Sequence, residues 1–194
     1  MLKEGFELLQ KYGIPIPEYW VNEIPKDPKF PLVIKADVLH KTDEKAIIKN
    51  INNFNELLES YNYLSRRFQD RDIIVQRQIS GNYIEVIIGI REDPTFEKVF
   101  LIGLGGIYTE LLRDYVILVP PFEMKEMEAS LRRLKLSKVL FGYRGMKINL
   151  ELLYDISKKL ITLYENERLR EIEINPLMIN ESNAFAVDVR LSTK

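Results

Sequence analysis

The chain has 194 residues, 46% hydrophobic and 29% charged, and a net charge of −1. That is an ordinary globular composition with room for a real core, and with no global positive field and no basic run longer than two residues, neither nucleic acid nor membrane is expected as a partner. There is no cysteine and one histidine, which excludes disulfides and thiolate chemistry and leaves a hard cation on oxygen ligands, magnesium first, as the metal to look for.

In chain order, Leu2, Phe6, Leu8, Leu9 and Tyr12 predict an amphipathic helix over 2–12, ended by Gly13 and Ile14-Pro15-Ile16-Pro17. This start is a helical pattern rather than a signal peptide, and no apolar stretch approaches the roughly 20 residues that span a bilayer, so a cytoplasmic location is expected. Strands are predicted at 20–24, 31–36 and 46–51, then a helix over 53–68 with Asn53 as its cap. Strands follow at 72–79, 84–91 and 98–104, the last running into Gly103-Leu104-Gly105-Gly106, and another at 115–119 is stopped by Pro120-Pro121. Helices are predicted at 123–134, 137–140 and 150–166, and two closing strands at 169–174 and 184–189. Hairpins mixed with helical connections make the fold class α+β rather than a doubly wound parallel sheet. A weak boundary near 68–72 divides the chain into a smaller N-terminal lobe, about 1–70, and a second lobe, 71–194.

Several groups of residues could carry chemistry. Three glycines in four residues after a buried strand let backbone N–H groups cradle a phosphate, although a tight turn explains them equally well. In EIEINP, alternation puts Glu171, Glu173 and Asn175 on one face of a strand, and Asp188 sits among apolar neighbours in AFAVDV. If these strands pair, their oxygens cluster as magnesium requires, while a solvated face remains the plainer reading for Glu171. Lys35 ends an apolar strand, where it can reach a phosphate or merely extend to solvent at an edge. His40 has a lysine on each side, Lys35 and Lys41, and lies between a buried strand and a charged turn; Glu85 sits between Ile84 and Val86, so burial is open for it.

The order of these pieces is more specific than any one of them. VIKADVLHKTD, IEVIIGIREDPTF, VFLIGLGGIYTELLRD, GYRG, EIEINPL and AVDVR, taken in sequence, resemble the β subunit of ADP-forming acyl-CoA synthetases over nearly the whole chain. That family belongs to the ATP-grasp superfamily, with succinyl-CoA synthetase β subunits as distant relatives. The resemblance implies two α+β lobes gripping a nucleotide between antiparallel sheets. It implies a reversible ligase reaction in which acyl-CoA, ADP and phosphate give acid, CoA and ATP, with the phosphoryl group carried on histidines. It also implies an α subunit bearing the CoA-binding and first phosphohistidine parts, in an α2β2 assembly, with ATP or ADP and Mg2+ as cofactors. Carried over by position, His40 is the catalytic phosphohistidine, and Lys35, Glu85, Gly105, Gly106 and Glu110 contact nucleotide. Glu173, Asn175 and Asp188 form the metal side.

The chain departs from the family's pattern in several places. Where the family continues its histidine motif with two glycines and a valine, this chain has Glu44-Lys45-Ala46-Ile47, which places bulk where phosphate is expected. Leu118 stands at the position of a phosphate-side arginine, and Gln76-Arg77-Gln78 lacks the acidic residue of the nucleotide hinge. These departures fit an alternative, a degenerate non-catalytic paralogue that binds nucleotide weakly or scaffolds a partner.

Overall fold

The computed structural model describes residues 2–38, 45–106 and 111–193. They form two compact units, Pro17–Ser80 and, together, Met1–Ile16 and Gly81–Lys194. The division therefore falls at residue 80 rather than near 70, and the N-terminal helix sits with the larger unit, not the smaller. The reason is its apolar stripe: Leu2, Phe6 and Leu9 are buried, and helix α1 (Leu2–Lys11) packs on the closing strand of the large sheet. A Cβ on Gly5 would stand 2.5 Å from Val189 Cγ1, so only glycine lets the helix approach this closely.

The smaller unit is an antiparallel sheet of β1 (Tyr19–Val21), β2 (Leu32–Ala36), β3 (Ile47–Ile51) and β4 (Ile73–Arg77), ordered β1-β4-β2-β3 and covered by helix α2 (Phe54–Arg67). Asn53 caps α2 as expected, its Oδ1 accepting the Glu56 N–H at 3.0 Å, a contact worth about 1 kcal/mol. Leu57 and Leu64 of the helix meet Leu32, Ile34, Ile73 and Val75 of the sheet in one core. Period-two alternation turns Lys35 to the opposite face, where Val33 pairs with Gln76 of β4. Ala46 is fully buried in the α2-side core. Lys45 is exposed and keeps φ at 53°, the left-handed region a glycine would favour.

In the larger unit, β5 (Ile84–Asp93), β6 (Glu97–Leu104), β7 (Tyr115–Leu118), β8 (Leu169–Ile179), β9 (Ala184–Ala186) and β10 (Val189–Thr193) form a six-stranded antiparallel sheet. Its order is β10-β8-β5-β6-β7, with β9 also paired to β8. Helices α3 (Met124–Leu131), α4 (Ser137–Phe141) and α5 (Leu150–Asn166) follow β7 in the chain. One sheet face is the core: Val86, Ile88, Ile90, Phe100, Ile102, Ile172 and Ile174 are buried, and Phe100 meets Phe122, which meets Tyr154 of α5. The other face carries the residues between them, including Glu85, Gly89, Leu101, Glu171 and Glu173. Leu118, at the position where the family has a phosphate-side arginine, pairs with Phe100 and so shares the core face. Among the described residues, no helix is long and apolar enough to cross a membrane.

The predicted strand 184–189 is two strands, β9 and β10, and β8 runs on to Ile179 to pair with both. The break falls at Val187-Asp188, opposite Asn175-Pro176.

Candidate functional site

That break is the centre of the site. Between the pairs Val86–Leu177 and Ile88–Ile174, β5 has one residue, Ile87, where β8 has two, Asn175 and Pro176. Proline has no N–H for the ladder, so a bulge is where a central strand tolerates it, and a bulge re-aims the side chain beside it. Asn175 Oδ1 accepts the backbone N–H of Gly106 at 3.0 Å. Across the break, the Asn175 N–H donates to the Asp188 carbonyl at 3.2 Å, and Asp188 Oδ1 accepts the Val189 N–H at 3.0 Å. The half-buried Asp188 thus stands beside Asn175 in a gap between strands.

The glycine turn is built to fit against the same spot. Gly105 donates to the Glu85 carbonyl at 2.8 Å, and a Cβ on it would come within 2.7 Å of the Val86 backbone. Gly106 has φ 59°, and a Cβ there would collide with Glu85 Oε2. Closeness and a left-handed backbone both require glycine at 106. Glu85, Gly105, Gly106 and Asn175 are therefore brought together.

Glu173 completes the group. It pairs with Gly89 on one side and Arg190 on the other. Burial pushes its carboxyl above the ordinary glutamate value, Arg190 opposes the shift, Glu171 and Asp188 add to it, and a hydrogen bond from the Asn175 side chain lowers it. Two carboxylates flanking one amide oxygen offer hard oxygen donors only. Among the described residues there is no group of three or more His, Cys, Asp or Glu side chains placed to hold a metal. Two carboxylates and an amide fit magnesium that takes its remaining ligands from phosphates and water.

Lys35 lies in the smaller unit and is 5% exposed on the sheet face that also carries Gln76. Gln76 is 2% exposed, and its amide nitrogen has no hydrogen-bond partner among the described residues. His40 and Glu110 lie outside the described residues.

Two residues of this region stood at the ends of quoted motifs, VFLIGLGGIYTELLRD and AVDVR, without a role assigned to them. Arg190 is the cationic neighbour of Glu173, and its signal was the alternation two residues past Asp188. Asp114 is buried, and both its carboxylate oxygens accept backbone N–H groups; a charged residue directly before a strand was the trace it left.

The chain is similar to several known proteins. A family model described as an ATP-grasp domain matches residues 2–192. The β subunit of acetate–CoA ligase (ADP-forming) I of Pyrococcus furiosus is 33% identical, over 97% of this chain and 89% of that protein. Acetate–CoA ligase (ADP-forming) II of Archaeoglobus fulgidus is 30% identical over 97% of this chain, which spans only 29% of that longer protein. Among solved structures, PH1788 from Pyrococcus horikoshii superposes with a TM-score of 0.85 at 26% identity, covering 100% of this chain and 91% of that one. Acetyl-coenzyme A synthetase 1 of Candidatus Korarchaeum cryptofilum, solved with coenzyme A and Mg-AMPPCP, superposes with a TM-score of 0.82 at 26% identity, covering 100% and 92%. The fold is the α+β ATP-grasp fold with antiparallel sheets, and the chain belongs to the ATP-grasp family.

Proposed function

We propose that this ATP-grasp chain is the β subunit of an ADP-forming acyl-CoA synthetase of the acetate–CoA ligase type, which moves a phosphoryl group between a phosphohistidine and ADP. The observation that carries the reading is the Gly106 N–H held by Asn175 at 3.0 Å, with Glu173 and Asp188 beside it. A glycine turn with no side chains lets a phosphate come close, and the hard oxygen donors beside it suit the phosphate's cation.

In the direction of ATP synthesis, the N–P bond of phosphorylated His40 breaks as a bond forms to a terminal oxygen of the ADP β-phosphate, and the imidazole nitrogen keeps the electron pair. Little covalent work falls to the protein in such a step; alignment and neutralisation of charge decide the rate. Lys35 supplies a point charge to the phosphates. The unpartnered amide nitrogen of Gln76 on the same sheet face supports a polar ligand there. Gly105 and Gly106 let the backbone come close to phosphate, and Glu85 and Glu110 line the nucleotide side. Glu173, Asn175 and Asp188 would hold magnesium, whose charge would offset that of the phosphates.

The reaction also needs CoA and an acid. The Archaeoglobus relative is more than three times as long as the segment this chain matches, whereas the Pyrococcus β subunit is matched over 89% of its length. In this reading the CoA-binding and acid-activating parts belong to an α subunit, in an α2β2 assembly acting in the cytoplasm, and the β-subunit naming of the Pyrococcus relative supports such a partner. Isothermal titration with ADP and ATP, with and without Mg2+, tests the reading. Magnesium-dependent binding is expected, and no binding under either condition overturns it.

A further inference from the structure

We infer that Asp114 is a positioning residue for the Leu104–Gly106 turn, tying it to the chain between α3 and α4. Asp114 is 4% exposed, and its two carboxylate oxygens accept the N–H groups of Lys135 and Leu136, each at 2.9 Å. A buried carboxylate is costly unless its oxygens are satisfied, and only a carboxylate can accept at both oxygens, since an amide offers one. The cap reaches across 21 residues to Lys135, so it joins two segments rather than closing a helix end locally.

The other end of the same residue touches the turn. The Asp114 carbonyl accepts the Leu104 N–H at 3.0 Å. A Cβ on Gly103 would collide with that carbonyl and with Tyr115, so glycine at 103 is what allows the approach. Leu104 is thus held by Asp114, Gly105 by the Glu85 carbonyl and Gly106 by Asn175. The carbonyl that holds Leu104 is backbone, and the Asp114 carboxylate is what fixes its place; without that side chain the carbonyl loses its anchor and the turn loses part of its support. The functional part of this inference rests on the phosphate-facing reading of the turn given above.

The test compares wild type, Asp114→Asn and Asp114→Ala, with Leu160→Ala as a control that is destabilised through the core alone. Affinity for Mg·ADP is measured well below every melting temperature, and amide exchange is followed without nucleotide. The expected result is a dissociation constant about tenfold weaker in the Asn variant and weaker again in Ala, with faster exchange at Leu104–Gly106. Leu160→Ala should melt lower and bind as wild type does. If both Asp114 variants fail to fold, exchange in the wild-type chain decides: Mg·ADP should slow Lys135 and Leu136 together with Gly105 and Gly106. Equal affinity in Asp114→Asn, equal weakening in the control, or no slowing at 135–136 overturns the role of Asp114. Absence of Mg·ADP binding by the wild type overturns the phosphate-facing reading and, with it, this inference.

Discussion

The carboxylate of Glu85 occupies the space that a side chain on Gly106 would have to fill. This one relationship joins β5 to the glycine turn and makes residue identity at 106 a condition of the site's shape. Gly106→Ala meets two penalties. A left-handed backbone costs an alanine about 1–2 kcal/mol, and Glu85 must also move. We expect Mg·ADP binding at least tenfold weaker by calorimetry. The double variant Gly106→Ala/Glu85→Ala should recover part of the lost stability in a double-mutant cycle. Additive losses would mean the two residues do not compete for space.

Asp188 stands in the gap between β9 and β10 beside Asn175. Asp188→Ala should abolish the magnesium dependence of nucleotide binding while leaving the sheet intact. Retained Mg2+-dependent affinity in the same titration would take Asp188 out of the metal side.

Glu173 yields a pH-dependent expectation. Its folded pKa is raised above the ordinary 4.5, chiefly by burial, so the folded state favours the neutral acid. The destabilisation is absent below 4.5, grows as pH rises through the raised value and is complete above it. Glu173→Gln should therefore raise the melting temperature of the magnesium-free protein near neutral pH, each kcal/mol recovered being worth about 2–4 °C. The gain should vanish in acid. A gain that persists at low pH would point to packing rather than charge.

Lys45 and Ala46 replace glycines of the family's pattern, yet the structure separates them. Lys45 has φ 53° and is exposed, whereas Ala46 is buried under α2. Lys45→Gly should be neutral or stabilising by up to about 1 kcal/mol. Ala46→Gly should destabilise by about 1 kcal/mol through lost packing and added chain entropy. Urea denaturation of the two single variants checks the opposite signs.

Because the chain has one histidine, any acid-labile phosphohistidine on it is at position 40. Incubation of the assembled complex with γ-labelled ATP should place label on this chain. His40→Ala should remove the label and stop phosphoryl transfer without lowering the melting temperature. Undiminished turnover by the variant would make the histidine structural.

The sequence by itself determined the elements and most of their order. Asn53 as a cap, the helical stripe of α1 and the alternation through β5 and β8 are local signals, set by neighbours within a turn or a strand pair. It also carried the family, through motifs in series. Tertiary structure decided where the pieces meet. The stripe of α1 called for apolar surface without saying whose, and β10 supplies it. The split of 184–189 around Asp188 depends on the register of β8 and its Asn175-Pro176 bulge, and the face of Leu118 depends on pairing with Phe100. Asp114 caps N–H groups 21 and 22 residues away, beyond any local pattern. Periodicity records which residues share a face; only packing sets which faces and strand ends come together, because those contacts are non-local and no short window of sequence contains both partners.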